Sequence, residues 1–152
     1  IDLNVVCQGV QGNEILNLSR RYFYNQEGNM NNYKGALNRW KSESEPGDGQ
    51  TVRANRVSKG QNGTTSTWHV EDGSYLRIST ITLGYTFPKK WLSKAFISNL
   101  RLYCTLNNPF TITNYSGYDP EVSKESSILT PGIDDSSYPR SKGFVFGINL
   151  SL

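Results

Sequence analysis

The last residues of this chain alternate regularly between large apolar side chains and small or polar ones, which limits the folds open to it. Residues 144–152 read FVFGINLSL, with a large apolar side chain at every even position and Val, Gly, Asn or Ser between them. A period of two places successive side chains on opposite faces of a β-strand. The segment therefore predicts a strand with one apolar face and one small, uncharged face.

Three other segments have the same alternation, and together they predict four strands. The segments are residues 1–9, 75–87, 99–110 and 141–152. They hold 46 residues but only four charged ones: Asp2, Arg77, Arg101 and Lys142. That is less than half of what an even distribution of the 16 basic and 13 acidic residues would place there. Water-facing strands of soluble proteins usually carry more charge, so the pattern is also typical of strands in a membrane.

The lengths of the connections favour the membrane interpretation over a soluble sheet. Tilted transmembrane strands need ~9–11 residues, which is close to the length of these four segments. The links 10–74, 88–98 and 111–140 are long, short and long in turn. Outer-membrane barrels have long external loops and short periplasmic turns. We therefore predict outer loops at 10–74 and 111–140 and a periplasmic turn at 88–98, with a short helix at residues 13–24.

Charge, histidine and cysteine content exclude several other classes of function. The net charge of +3 is dispersed, so no nucleic-acid partner is expected. One histidine, His69, and two distant cysteines fit no metal site, and we expect no cofactor.

The Asp134-Asp135 pair in a Ser-rich segment predicts solvated loop charge. Cys7 and Cys104 fall on the first and third strands, about 9.6 Å apart, which is too far for a disulfide, and predict two free thiols on the lipid face.

Several short motifs in register resemble the C-terminal part of SusC/RagA-type TonB-dependent outer-membrane transporters. Upstream, QG at 8–9 and NRW at 38–40 are similar to the preceding loop of that family. The motifs that carry the resemblance are VEDGSYLRI (70–78), TLGYTFP (82–88), LRLY (100–103), NNPF (107–110), YSGYDPEV (115–122), YPR (138–140) and FVFGINL (144–150). The resemblance spans essentially the whole chain, whose start at Ile1 predicts a piece of a longer protein.

The resemblance implies an all-β fold made of the last four antiparallel strands of a transmembrane barrel of about 22 strands. Long extracellular loops would carry short helices. It also implies import of oligosaccharides or peptides through the outer membrane of a Gram-negative, Bacteroidetes-type bacterium. The implied partners are the rest of the barrel and its plug, a SusD-like surface lipoprotein, the lipid bilayer, and TonB acting through a separate N-terminal part.

Ligand contacts, if they fall on this chain, are expected in the two outer loops. Trp40, Tyr115 and Tyr118 could stack on sugar rings or peptide side chains, and Asp119 could supply hydrogen bonds. Two structural alternatives remain open. Trp40 follows Tyr33 and Leu37 at helical spacing and could pack a loop helix. Tyr118 and Asp119 precede Pro120, which is typical of a structured turn.

Two alternatives to a transporter make different predictions. A soluble carbohydrate-binding β-sandwich would bury Phe144, Phe146, Ile148 and Leu150 against a second sheet, whereas a transporter would face them outward. A glycan hydrolase would need two convergent carboxylates. Glu71, Asp72 and Asp119 are available, but nothing in the sequence brings them together, so we predict no catalytic residues and no enzyme activity.

Overall fold

The computed structural model describes residues 1–57, 62–93, 96–122 and 131–152. They form two compact units, each treated separately below. The sheet unit comprises Ile1–Gln11, Ser74–Asn114 and Pro139–Leu152, and the loop unit comprises Gly12–Gly73 and Tyr115–Tyr138. Most of the regular structure is strand, with few and short helices.

The strands in chain order are β1 (Asp2–Val10), β2 (Glu14–Asn17), β3 (Val70–Asp72), β4 (Tyr75–Thr86), β5 (Asn99–Thr113), β6 (Ile133–Asp134) and β7 (Gly143–Ser151). The α-helices are α1 (Leu18–Phe23) and α2 (Lys89–Leu92), and two 3-10 helices cover Lys34–Asn38 and Thr67–His69. None of the helices within the described ranges is long and apolar enough to cross a membrane.

The sheet unit is a four-stranded antiparallel sheet in the order β1-β4-β5-β7. Directly paired residues point to the same face, so the register divides the side chains into rows. One row joins Leu3, Leu83, Cys104 and Phe146 across all four strands. The next row, on the opposite face, joins polar Asn4, Thr82 and Thr105 to Val145. The alternation in the sequence therefore becomes one apolar and one polar sheet face.

A bulge at Ser79 keeps the apolar face continuous where the alternation of β4 breaks. Val5 pairs with Ile81 while Cys7 pairs with Ile78, so β4 contains one residue more than β1 over this stretch. Ile78 and Ile81 thus share a face although they are three positions apart. On the other side β5 also shifts register, and Asn108 adopts a left-handed φ of 48° that asparagine tolerates better than most residues.

The apolar face of the sheet is exposed, which excludes the β-sandwich alternative. Phe146 is 74% exposed, and Phe144 and Ile148 are 70% and 69% exposed. A sandwich would bury these side chains at the level of a protein core, and that prediction is wrong. Cys7 and Cys104 are free, which confirms the prediction that no disulfide joins them. They lie on β1 and β5, with β4 between them.

The loop unit is built around a second, three-stranded sheet. β2 pairs with β3 in the antiparallel sense and with β6 in the parallel sense. Ile15 on β2 is completely buried and forms the centre of this unit. The predicted helix at residues 13–24 is therefore wrong in its first part, because residues 14–17 are strand and the helix α1 begins only at Leu18.

Candidate functional site

The described loop unit contains a cavity of about 150 Å³, here called the tyrosine pocket. Three tyrosines, Tyr24, Tyr33 and Tyr118, contribute its aromatic walls. The polar side chains that line it are those of Asn17, Ser19, Arg20, Ser116 and Asp134. A small concave site with aromatic walls and a few converging polar groups is the usual form of a ligand subsite.

The Tyr24 wall is held in place by other aromatic rings and by a glycine. The Tyr24 ring meets Tyr33 and Trp68 edge to face, with centroid distances of 6.0 and 5.7 Å. Such edge-to-face pairs stabilise aromatic clusters by about 0.5–1.5 kcal/mol beyond burial. A Cβ on Gly35 would lie 2.6 Å from the Tyr24 hydroxyl. The absence of a side chain at position 35 therefore leaves the space that the phenol occupies.

Tyr33 and Tyr118 lie on different segments of the loop unit and both line the pocket. Hydrogen bonding with Tyr118, aided by burial, raises the pKa of Tyr33 above its ordinary value. Like any tyrosine, Tyr33 is neutral at physiological pH, and its hydroxyl can both donate and accept. Tyr118 is 70% exposed and forms the rim of the pocket.

Glu71 links, through hydrogen bonds and an ion pair, the chain segments that supply residues to the pocket. Its carboxylate accepts hydrogen bonds from the Asn17 amide at 3.0 Å, the Ser116 hydroxyl at 2.8 Å and the Ser116 backbone N–H at 3.0 Å. It also forms an ion pair with Arg20 at 3.5 Å. The Arg20 guanidinium lies 3.8 Å from the centroid of the Trp68 ring, a cation–π arrangement. The charge of Arg20 is thus compensated within the site.

Asn17 caps the start of α1 and is one of the polar residues that line the pocket. The Asn17 side chain accepts a hydrogen bond from the Arg20 backbone N–H at 3.0 Å and caps the helix. Asparagine is a preferred N-cap residue because it satisfies an otherwise unpaired backbone donor. The Asn17 amide nitrogen, which faces the other way, is the group bonded to Glu71. The Asn17 side chain therefore caps α1 and also holds the Glu71 carboxylate in position.

Asp134 is buried and structural, and the prediction that it is solvated loop charge is wrong. Its carboxylate accepts hydrogen bonds from the Tyr115 hydroxyl at 2.6 Å and from the Ser137 backbone N–H at 3.0 Å. Burial, together with this hydrogen bond, raises the pKa of Tyr115 far above its ordinary value. Tyr115 therefore stays protonated and donates to Asp134 across the physiological range.

The four predicted ligand residues divide into two exposed and two buried ones. Tyr118 lines the tyrosine pocket, and Trp40 is 39% exposed at a different place in the loop unit. Tyr115 and Asp119 are 5% and 6% exposed. The Asp119 carboxylate accepts a hydrogen bond from the Glu121 N–H at 2.9 Å, which is the geometry of the alternative, a structured turn.

Trp40 does not belong to a loop helix, since the nearest 3-10 helix ends at Asn38. Its backbone N–H donates to the Thr51 carbonyl at 3.1 Å. The Asp48 carboxylate accepts hydrogen bonds from Thr51 and Gln50. These bonds hold the pKa of Asp48 below its usual value, and they order the turn whose Thr51 carbonyl accepts the Trp40 N–H.

Sequence reasoning missed Tyr24, Tyr33 and the pair Arg20–Glu71 as members of one site. The NLSR run at 17–20 is a recognisable helix start, and it could have pointed to Asn17. Nothing local links Glu71 to Arg20, because the two residues are 51 positions apart. Within the described ranges no group of three or more His, Cys, Asp and Glu side chains could hold a metal ion.

Comparison with known proteins gives a consistent set of relatives. No protein-family model matches the sequence. The chain is 30% identical over 158 aligned positions to TonB-dependent receptor P3 of Formosa agariphila, covering 99% of this chain and 15% of the relative. It is 38% identical over 94 positions to TonB-dependent receptor SusC of Bacteroides thetaiotaomicron, covering 61% of this chain and 9% of SusC.

A solved structure, that of the RagAB peptide transporter, is similar over 97% of this chain and 15% of the matched chain. The TM-score is 0.78 and the sequence identity is 27%. The relatives are named as receptors and transporters, which is consistent with a non-enzymatic role. The chain spans about one seventh of the length of the curated relatives that it matches most fully. These matches confirm the resemblance read from the sequence motifs, and the chain belongs to the SusC/RagA-type TonB-dependent receptors.

Proposed function

We propose that this chain supplies barrel wall and outer loops to a SusC-like importer that takes up oligosaccharides or peptides across the outer membrane. The sheet order β1-β4-β5-β7 and the exposed apolar face carry the proposal. Strands of 9 to 15 residues are long enough to cross a bilayer core of about 30 Å when tilted. An exposed apolar face of this extent is stable only against lipid or another protein surface.

The two edges of the sheet require further strands. Among the described strands, β1 pairs only with β4 and β7 pairs only with β5. Unpaired backbone groups in lipid cost several kcal/mol each, so a transmembrane sheet must close. The rest of the barrel is therefore the proposed partner at both edges, with a lumen plug, a SusD-like surface lipoprotein and TonB as the other partners. The proposed localisation is the outer membrane of a Bacteroidetes-type bacterium.

In this proposal the loop unit faces the cell exterior and the turn 88–98 faces the periplasm. The aromatic side chains near that turn support its placement at a membrane–water interface. Tyr85 packs on Phe87 with a centroid distance of 4.9 Å, and Phe87 packs towards Trp91 at 6.4 Å. Trp91 is mostly exposed, beside Lys89 and Lys90. Exposed aromatic and basic residues of this kind are typical of a membrane–water interface.

Ligand contact is proposed for the exposed aromatics Tyr118 and Trp40. Tyr115 and Asp119 take part only indirectly, because each is buried and hydrogen-bonded within the loop unit. Transport requires reversible binding and no bond chemistry, so none of these residues is assigned a catalytic role.

The test is deletion of the complete receptor gene from the bacterium that encodes it. We expect growth to be lost on one class of glycan or peptide and retained on its monomers, with the receptor recovered in the outer-membrane fraction of the parent strain. Complementation by the intact gene, but not by one lacking its TonB-contacting segment, identifies energised import. Unchanged growth on every polymer, or recovery of the receptor in the soluble fraction, would contradict the proposal.

A further inference from the structure

We propose that the apolar face of the sheet unit binds one anionic diacyl phospholipid near the turn 88–98. An acyl chain of this lipid lies in a groove along β5, and its phosphate lies against Lys89 and Lys90. The inference rests on the proposed function, which places the turn on the periplasmic side. It deepens that function by naming the lipid that the sheet selects from the inner leaflet of the outer membrane.

The apolar face contains a groove of about 590 Å³, here called the sheet groove, whose lining is almost entirely apolar. Volumes of ~300–1,000 Å³ are typical of sites for small molecules. The main side chains of the lining are Leu83 and Tyr85 on β4, Leu102 and Cys104 on β5, and Phe146 and Ile148 on β7. Because β4 ends at Thr86, the groove lies towards the end of the sheet from which the turn 88–98 leaves.

The sheet groove has a low floor between taller walls. Cys104 lies between Leu83 and Phe146 in one row of paired residues, and its side chain is smaller than either. Leu83 and Phe146 are exposed, whereas Cys104 is half-buried. The strands on either side of β5 are about 9.6 Å apart. The walls therefore leave room for one linear chain that runs along β5.

The sheet unit is strongly basic, and two of its basic residues are exposed at the turn. It contains seven Lys and Arg residues but one acidic residue, Asp2. Asp2 is paired with Arg101 on the polar face. Lys89 and Lys90 are exposed, and no ion pair among the described residues engages them. The phosphate of an anionic lipid therefore supplies the counter-charge that the sheet unit lacks at this turn.

Aromatic rings connect the sheet groove to the basic turn. Tyr85 lines the groove and packs on Phe87, which packs towards Trp91 beside Lys90. Tyrosine and tryptophan side chains prefer the level of the lipid headgroups, where one side of the ring is apolar and the other is wet. The groove, the rings and the lysines thus follow the order of acyl chain, ester region and phosphate in a phospholipid.

The lysines, and not the groove, select the lipid. Acyl chains already lie in an apolar medium, so the groove adds packing without a hydrophobic driving force. A zwitterionic phospholipid would gain the same packing but less attraction to Lys89 and Lys90. A second copy of the sheet unit is a poorer occupant, because it would bring further basic residues without a free acidic partner.

Photo-crosslinking of the complete receptor, reconstituted in phosphatidylcholine nanodiscs, tests this inference. The probes are phosphatidylglycerol and phosphatidylcholine with the same photoreactive acyl chain, used one at a time at the same low mole fraction. We expect the phosphatidylglycerol probe to label the peptides containing Cys104 and Phe146 at least about fivefold more strongly than the phosphatidylcholine probe does. The double variant Lys89→Gln/Lys90→Gln should lose this excess.

Matched controls locate the site on the sheet. Lys142→Gln should keep the excess, since Lys142 is an exposed lysine that precedes the end of β7 farther from the turn. Cys104→Phe should fill the groove and reduce labelling of the Phe146 peptide by the phosphatidylglycerol probe, although both lysines remain. Leu106→Phe is its control, because Leu106 lies on the same strand and face but outside the groove.

Equal labelling by the two probes, or labelling that neither the lysine variant nor Cys104→Phe reduces, would overturn the inference and leave the proposed import function standing. Groove peptides that neither probe labels, in a receptor whose other strands are labelled, would show that a protein surface covers the groove and would overturn it as well. If neither probe labels any of the four long strands, the membrane placement of the sheet is wrong, and the proposed function fails with it.

Discussion

At the scale of single residues, the loop unit depends on a few buried or partly buried polar side chains that each satisfy several partners. Glu71 is the clearest case, because it bonds Asn17, Arg20 and Ser116 at once. Residues 17 and 116 are 99 positions apart in the chain. A carboxylate with this many donors stabilises the fold more than an exposed ion pair does, since its hydrogen bonds are charge-assisted and only partly solvated.

We expect Glu71→Gln to loosen the segment that carries Tyr118. The substitution removes the charge and replaces one acceptor oxygen by an amide donor that faces other donors. The expected cost is about 1.5–3 kcal/mol, measured as faster hydrogen exchange of the residue 116–118 amides in the complete receptor. Glu45→Gln is the control, because Glu45 pairs with Lys41 at an exposed site and should cost no more than about 0.5 kcal/mol. Equal effects of the two substitutions would contradict the role given to Glu71.

His69 gives the loop unit a predictable dependence on pH. The histidine is 2% exposed, and burial, aided by Arg20 and Arg21, lowers its pKa below the ordinary value of 6.5. The unfolded loop therefore binds a proton at a higher pH than the folded loop does. The stability of the loop unit is complete above about pH 6.5 and falls as the pH drops towards the lowered pKa of His69.

Hydrogen exchange of the loop unit at pH 7.5 and 5.5, corrected for intrinsic exchange rates, measures this effect. Protection should be lower at pH 5.5 in the wild type. His69→Asn keeps a polar atom near the position of Nδ1, which faces Ser66, but cannot be protonated, so its pH dependence should be smaller. A wild type whose protection is the same at both pH values would show that the pKa of His69 does not change on folding.

At the scale of the elements, the sheet is organised by its register and by the glycines of its polar face. Gly84 and Gly147 share a row with Asp2 and Tyr103. The Tyr103 ring lies over Gly147, and the Arg101 guanidinium lies over Gly84 and pairs with Asp2 at 2.5 Å. A long side chain on one strand thus covers a glycine on its neighbour, which stabilises a position that has no side chain of its own.

We expect Gly147→Ala to disturb the pairing of β5 with β7. A Cβ at position 147 would collide with the Tyr103 ring, and such overpacking costs about 1–3 kcal/mol. The temperature at which the complete receptor loses its folded mobility in SDS gels should fall. Gly143→Ala lies on the same strand with no atom near its Cβ, so it should leave that temperature unchanged. If both variants lose their folded mobility at the same temperature, the close contact between Tyr103 and Gly147 does not contribute to the stability of the sheet.

The two faces of β7 should respond in opposite ways to a charge. Phe146 lies on the apolar face, and Val145 is its neighbour on the polar face. An arginine at the bilayer midplane costs about 2–4 kcal/mol on the lipid side of a barrel strand. Phe146→Arg should therefore reduce the amount of folded receptor in the outer membrane, and Val145→Arg should not. The reverse order would mean that the polar face is the one in contact with lipid.

Among the elements, the alternation in the sequence was sufficient to predict the four long strands but not the short ones. The segments predicted at 75–87 and 99–110 correspond to β4 and β5, because a period of two is a local property of the chain. β2 was mistaken for part of a helix, since its four residues pair with β3 and β6, which lie far away in sequence. The bulge at Ser79 was not predicted either, because it depends on the register of both neighbouring strands.

At the scale of the whole molecule, the sheet unit has the properties of a part that needs a larger assembly. One face carries exposed Leu3, Leu83 and Phe146, and both edge strands lack a second neighbour among the described strands. Exposed apolar patches and open strand edges both promote association in water. The loop unit, in contrast, has its own buried centre at Ile15 and His69.

We expect this chain, expressed by itself in water, to aggregate and not to form a monomer of 17.1 kDa. Size-exclusion chromatography with light scattering is the measurement. Co-expression with the remainder of the receptor in detergent should recover the chain in one large complex. A compact and monodisperse monomer in buffer would contradict the membrane placement of the sheet.

From the amino-acid sequence we could predict four long strands with one apolar face, two unpaired cysteines and the family of the chain. These properties follow from residue period, spacing and motif order, all of which are local or linear. The fold was needed to show that the apolar face is uncovered, that Tyr115 and Asp134 are buried together, and that Tyr24, Tyr33 and Tyr118 share one pocket. Burial and hydrogen bonding depend on segments that are up to 99 residues apart, so a local pattern in the chain does not show which of these segments meet.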